Sequence, residues 1–146
     1  MAVEKALKQP QTVRHAEQAL WAWTAWTCLF GIYQSWSSIP EIEAMLSGQL
    51  QGMFEITPQQ LLEWIIAGYA GLFAASAWIV LKIGAGKNWA RNSLLWGFII
   101  QAIYTAWPPY HLGMDVLTGI PDFGLQIYAL YLLYTKPGND WFHRAG

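Results

Sequence analysis

Six polar side chains stand within or at the ends of long apolar runs: Gln34, Glu63, Gln101, Thr105, Asp122 and Gln126. A polar group in hydrocarbon costs free energy unless it faces protein or water, so residues of this kind mark helix contacts, ligand pockets or ion routes. Ser93, Gly97, Gln101 and Thr105 recur every four residues and form one stripe of a helix, while Asp122 and Gln126 share a face of the next. Together they could line a polar pocket open to one side of a membrane, or Gln101 and Gln126 could bond directly between helices. Glu63 and Asp122 read as first-turn carboxylates, where they complement the helix dipole. Gln34, Glu63, Gln101, Asp122 and Gln126 are the expected ligand- or partner-binding residues.

Other chemistry is sparse. His111 and Asp115 are four apart and could build a metal or proton site with Glu55 or Glu63, although one histidine among scattered carboxylates fits solvated loop residues better. His15 and His143 fall on the opposite side of the membrane from His111, so no haem could bridge them, and no histidine lies inside an apolar helix as an axial ligand. Cys28 is the one cysteine, which removes disulfides and thiol pairs. Gly86-Lys87 is not a phosphate loop: Leu81 stands where that motif requires glycine and Asn88 where it requires Ser or Thr. No catalytic residue, resident metal or cofactor is expected, and nothing in the aromatic content fixes a quinone, pigment or lipid.

These residues must be positioned by four apolar stretches, about 19–36, 61–83, 89–107 and 116–135, within one membrane domain spanning residues 1–146. Each approaches the roughly 20 residues that a helix needs to cross the hydrocarbon core. Hydrophobic residues make up 55% of the chain and charged residues 12%, and mean hydropathy is +0.24, modest because the connections are polar. If each stretch crosses once, all eight Lys and Arg residues fall on one side. Lys5, Lys8 and Arg14 precede the first stretch, Lys82, Lys87 and Arg91 surround the second joint, and Lys136 and Arg144 follow the last. Cations are retained in the cytoplasm during insertion, which predicts an all-α bundle of four transmembrane helices with both termini inside. Glu41, Glu43, Glu55 and Asp115 then make the outer face acidic.

Residues 1–17 are polar and predict an amphipathic or frayed lead. The first span, rich in Trp21, Trp23, Trp26 and Trp36, reads as an uncleaved anchor rather than a secretory signal. Ser38-Ile-Pro-Glu41 is a helix-start pattern, and Ile42, Met45, Leu46, Leu50 and Met53 continue it at helical spacing, which predicts a short surface helix in the first outer loop. Thr57-Pro58-Gln-Gln60 opens the second span with a capping box. The fourth begins near Asp115 with a kink at Pro121, or at Pro121 itself, and ends around Thr135. Ala67, Gly71 and Ala75 on the second span and Thr27, Gly31 and Ser35 on the first are bare of bulk at four-residue spacing, so the two faces are expected to pack together. Trp and Tyr divide into two interfacial belts. An inner layer of Trp23, Trp26, Trp78, Trp96, Leu94, Leu130 and Leu133 is expected to close the bundle toward the cytoplasm.

Gly84-Ala-Gly86-Lys87-Asn88-Trp89-Ala90-Arg91 resembles a G-x-G-K-N-W-A-R turn between the middle helices of several small uncharacterised bacterial four-span membrane proteins. The resemblance covers these eight residues, extends elsewhere only to layout, and implies a topology without an activity. The expectation is a non-catalytic protein of a bacterial inner membrane. It would act by binding another membrane protein, as an accessory subunit or an immunity-like protective partner, or by forming a homo-oligomer. A small-molecule binding or transport protein with an outward polar pocket is the second expectation, and an enzyme or metal site at the outer loop the third. So few cations leave no footprint for nucleic acid; the lipid bilayer is the other partner.

Overall fold

In the computed structural model, residues 9–41, 44, 57–106 and 116–145 are described. They form helices α1 (Gln11–Ser37), α2 (Pro58–Gly84), α3 (Asn88–Ala106), α4 (Val116–Tyr134) and α5 (Gly138–Ala145), with no strand among the described residues. Residues 39–41 and 44 are also helical. Met45, Leu46, Leu50 and Met53, on which the surface helix depends, lie outside the described residues, as do Glu55, His111 and Asp115.

α1 begins well before the expected first span. Pro10 is its N-cap, in extended conformation, and the Pro10 carbonyl accepts the N–H groups of Val13 and Arg14 at 3.1 and 3.2 Å. The stretch expected to be an amphipathic or frayed lead is helical from Gln11, because Val13, Ala16, Ala19 and Leu20 form one apolar stripe, buried in the same cluster as Ile83, Leu133 and Phe142. α2 starts where its signal lies: Thr57 Oγ1 accepts the Gln60 N–H at 3.3 Å, and Gln60 Oε1 accepts the Thr57 N–H at 3.1 Å. α2 ends in a turn around Gly86, whose φ of 75° suits glycine. α4 takes the longer of the two expected forms and contains Pro121. Asp122 is therefore in its second turn, which corrects the reading of Asp122 as a first-turn carboxylate. α5 lies past the expected end of ordered helix. The chain turns through a cis Lys136–Pro137 bond and re-enters a helix whose Phe142 is buried. Gly138 makes this possible, because a Cβ there would overlap the Leu132 carbonyl.

The helices run up and down in a ring. α1 packs on both α2 and α4, and α3 closes the fourth side. Gly84 at the end of α2 lies against Glu17 near the start of α1, and the Tyr69 ring lies against Gly31 farther along. The Trp78 and Trp89 rings, 4.9 Å apart, bracket the α2–α3 turn, and Phe98 meets Phe123 edge-on at 6.0 Å between α3 and α4. Arg14, Lys82, Lys87, Arg91 and Lys136 all lie at one end, at the start of α1, around the α2–α3 turn and after α4.

The small-residue faces do not meet. Gly31 is the close approach on α1, where a Cβ would overlap Tyr69. On α2, however, Ala67, Gly71 and Ala75 are exposed, and nothing lies within 4 Å of where a Gly71 Cβ would be. α2 instead turns Tyr69, Ser76, Val80 and Ile83 toward its neighbours, because these are its positions that fill the space beside α1. The expected Trp closure is also absent: Trp26, Trp78 and Trp96 point outward, and the half toward the cationic end is lined mainly by Leu20, Val80, Ile83, Leu94, Leu130 and Leu133.

Among the described helices, α2 is the one long and apolar enough to cross a membrane by length and composition alone, with 6% of its most apolar window buried. Around it large apolar side chains are exposed, and a few polar ones lie within a mostly apolar core. Thr24, Ser76, Arg91, Asp122 and Gln126 are buried, while Leu29, Trp36, Trp64, Leu81, Trp96 and Ile100 are more than half exposed.

Candidate functional site

The middle of the ring holds a hydrogen-bond hub centred on Asp122. α4 carries Asp122 and Gln126 one turn apart, at 5% and 1% exposure. α1 brings Trp23 and Thr27, also one turn apart, so that Trp23 Nε1 donates to Asp122 Oδ1 at 2.6 Å and Thr27 Oγ1 to the same oxygen at 3.0 Å. From α3, Gln101 Nε2 donates to Asp122 Oδ2 at 2.5 Å. Gln126 Nε2 donates to Gln101 Oε1 at 2.9 Å and to the Asp122 carbonyl at 3.3 Å. All three side chains around the carboxyl are donors, and both oxygens accept, which is the pattern a carboxylate satisfies best. Chemically the hub is saturated: it fixes α1, α3 and α4 relative to one another and leaves Asp122 no described cation to pair with.

Of the five expected binding residues, three meet here: Gln101, Asp122 and Gln126. Glu63 is exposed and paired with its own helix, accepting from Gln59 Nε2 at 3.3 Å. Gln34 lies farther along α1, where its carbonyl accepts from Ser37 Oγ at 2.8 Å. Thr27, expected to serve helix packing, belongs to the hub. The expected stripe on α3 is divided: Ser93, Gly97 and Gln101 border a cavity, whereas Thr105 Oγ1 bonds back to the Gln101 carbonyl at 2.9 Å. Trp23 was concealed in the sequence by the aromatic belt, and its usable signal is the four-residue spacing to Thr27.

A second polar centre lies at the cationic end. Arg91, 6% exposed, donates to Asn139 Oδ1 and Asn88 Oδ1 at 2.7 Å each and to the Leu133 carbonyl at 3.3 Å. Its guanidinium carbon lies 4.4 Å from the Tyr134 ring centre and 4.7 Å from that of Phe142, within cation–π range. Arg91 is therefore a pin joining α3, α4 and α5 as well as one of the cations at that end.

Between hub and pin lies a cavity of about 290 Å³ reached by side chains of all four long helices. Its wall is mostly Leu20, Ile79, Val80, Leu94 and Phe98, with Gln101 and Gln126 at one end. Among the described residues no group of three or more His, Cys, Asp or Glu side chains converges as a metal site. Cys28 is buried and free, with Sγ 3.9 Å from the Tyr69 carbonyl oxygen. No family model, curated protein or solved structure matches the chain.

Proposed function

We propose that this chain is a four-span protein of a bacterial inner membrane, with both termini in the cytoplasm, that acts without catalysis by binding another membrane protein. The outer surface supports the embedding: large apolar side chains are exposed on every long helix, an arrangement that water would penalise and hydrocarbon favours. α1 and α3 are less apolar than α2 partly because they carry members of the inward-facing hub and pin. The clustering of described cations at one end supports the orientation.

The observation that carries the binding role is the exposed small-residue side of α2. Ala67, Ala70, Gly71, Ala74 and Ala75 all face away from the bundle, and Gly71 has open space beside it. In lipid, such a groove lets a second helix approach closely and gain dispersion contacts. The partner is a transmembrane helix of another protein, for which this chain serves as accessory subunit or protective partner. A photoreactive side chain at Ala67 or Gly71, irradiated in native membranes, is expected to give a discrete adduct with a different protein. Adducts with lipid alone would overturn the role, and an adduct with a second copy of the chain would replace it by homo-oligomer formation.

A further inference from the structure

Ser76 is nine-tenths buried and borders the cavity, yet its hydroxyl has no hydrogen bond to any described residue. Some hydroxyls of the chain are satisfied locally. Thr24, Thr105 and Thr135 each bond back to the carbonyl four residues earlier, at 2.8, 2.9 and 2.7 Å, the usual way for a hydroxyl to be satisfied inside a helix. The Ser76 side chain lines the cavity, so its hydroxyl is available to a ligand with one polar group. The cavity volume of about 290 Å³ is ample for a small organic molecule, and its aliphatic wall offers water few partners. Leu72, Ser93 and Gly97 border it and are themselves exposed, so it opens sideways between α2 and α3 toward the surface assigned above to hydrocarbon.

We propose that this cavity binds a small, uncharged, mostly apolar molecule bearing one hydroxyl or carbonyl, which enters laterally from the bilayer and bonds to Ser76. The proposal rests on the membrane reading but not on the partner of α2. Its parts have separate roles: the wall supplies affinity through burial, Ser76 selects for the polar group, and the saturated Asp122 hub holds the far end rigid.

The test uses the full-length protein in detergent with two probes of nearly equal size, 4-fluorophenol and fluorobenzene, followed by fluorine NMR. Both are expected to bind saturably, with 4-fluorophenol tighter. Ser76→Ala should weaken 4-fluorophenol by about two- to tenfold, the equivalent of one hydrogen bond, and leave fluorobenzene unchanged. Gly97→Leu should abolish binding of both without unfolding the chain, since a Gly97 Cβ meets nothing within 4 Å; Ser93→Leu, also at an exposed lining position, is the second blocking variant. Absence of saturable binding to folded wild type would overturn the proposal, as would equal weakening of both probes by Ser76→Ala. A phospholipid retained by the purified protein and lost in Gly97→Leu, read by native mass spectrometry, would assign the cavity to a lipid chain and reject the free molecule. Failure of the membrane reading itself is separate and appears in topology labelling, not in these titrations.

Discussion

Asp122 accepts hydrogen bonds from three side chains on two other helices, so removing its carboxyl leaves three donors unmatched, while removing one donor leaves the others in place. Asp122→Leu should therefore lower unfolding free energy in mild detergent by about 2–4 kcal/mol, reflecting stranded donors at roughly 1–3 kcal/mol each with partial relaxation. Trp23→Phe, which deletes one donor and keeps most of the ring, should cost about 1 kcal/mol, and its coupling to Asp122→Asn in a double-mutant cycle should lie near the 0.6 kcal/mol average for bonds between membrane helices. A Trp23→Phe effect unchanged in the Asp122→Asn background would mean that the indole acts by packing alone. At the other polar centre the shape of the cation matters. Arg91 reaches three acceptors while lying over two rings, and a lysine ammonium has neither the planar fork nor the span to do both. Arg91→Lys should accordingly destabilise nearly as much as Arg91→Met, by about 2 kcal/mol or more, measured by thermal unfolding in detergent. Full rescue by lysine would reduce the pin to a point charge.

The glycines of α1 and α2 separate contacts within the chain from contacts outside it. Gly31→Leu should destabilise the isolated protein by about 1–3 kcal/mol, the usual cost of overpacking, because Tyr69 occupies the space above Gly31. Gly71→Leu should leave thermal unfolding unchanged yet abolish the partner adduct, and equal damage from both substitutions would contradict the outward placement of Gly71. Sequence spacing identified both faces as small but could not say which met which: a stripe of alanines and glycines fits a close helix contact equally well inside or outside a chain. Local rules were more informative. The Thr57–Gln60 capping box opens α2 as its residues require, and the limits of α3 and α4 follow apolar runs. α1 extended past its expected start because Val13 and Ala16 are too few to register as a span, although they suffice to bury one stripe. α5 was hidden behind Pro137 for a similar reason: its role depends on Asn139 and Phe142 meeting Arg91, contacts that no local pattern contains. At the hub, Gln101, Asp122 and Gln126 were legible because amides and carboxylates are costly in apolar runs. Trp23 was not, since its indole suits an interface and a buried bond equally well.

At the scale of the whole molecule, orientation and permeability follow from different halves of the bundle. Tags at both termini should be reached only from the cytoplasm, and a cysteine introduced at Glu43 or His111 should react with an impermeant reagent added outside; the buried native Cys28 gives little background. Labelling of either loop from the cytoplasmic side alone would reverse every assignment of faces. Neutralising Lys82 and Lys87 should perturb insertion, whereas Arg91, being buried, should act chiefly through stability. Conduction requires a hydrated path through the full thickness of the membrane. The polar groups of the hub stop at mid-bundle, and from there toward the cationic end the interior is Leu20, Val80, Ile83, Leu94, Leu130 and Leu133, side chains that offer an ion no substitute for its hydration shell. Beyond them Arg91 places a fixed positive charge at the cationic end, a further barrier to cations. Liposomes containing the purified protein should therefore show no ion current above that of empty liposomes. Replacing Gln101, Asp122 and Gln126 together by apolar residues of similar size should weaken the fold and binding without creating or removing a current. Reproducible flux through the wild-type protein that the triple variant loses would assign the hub to a permeation path and reject the binding role in favour of a channel or carrier.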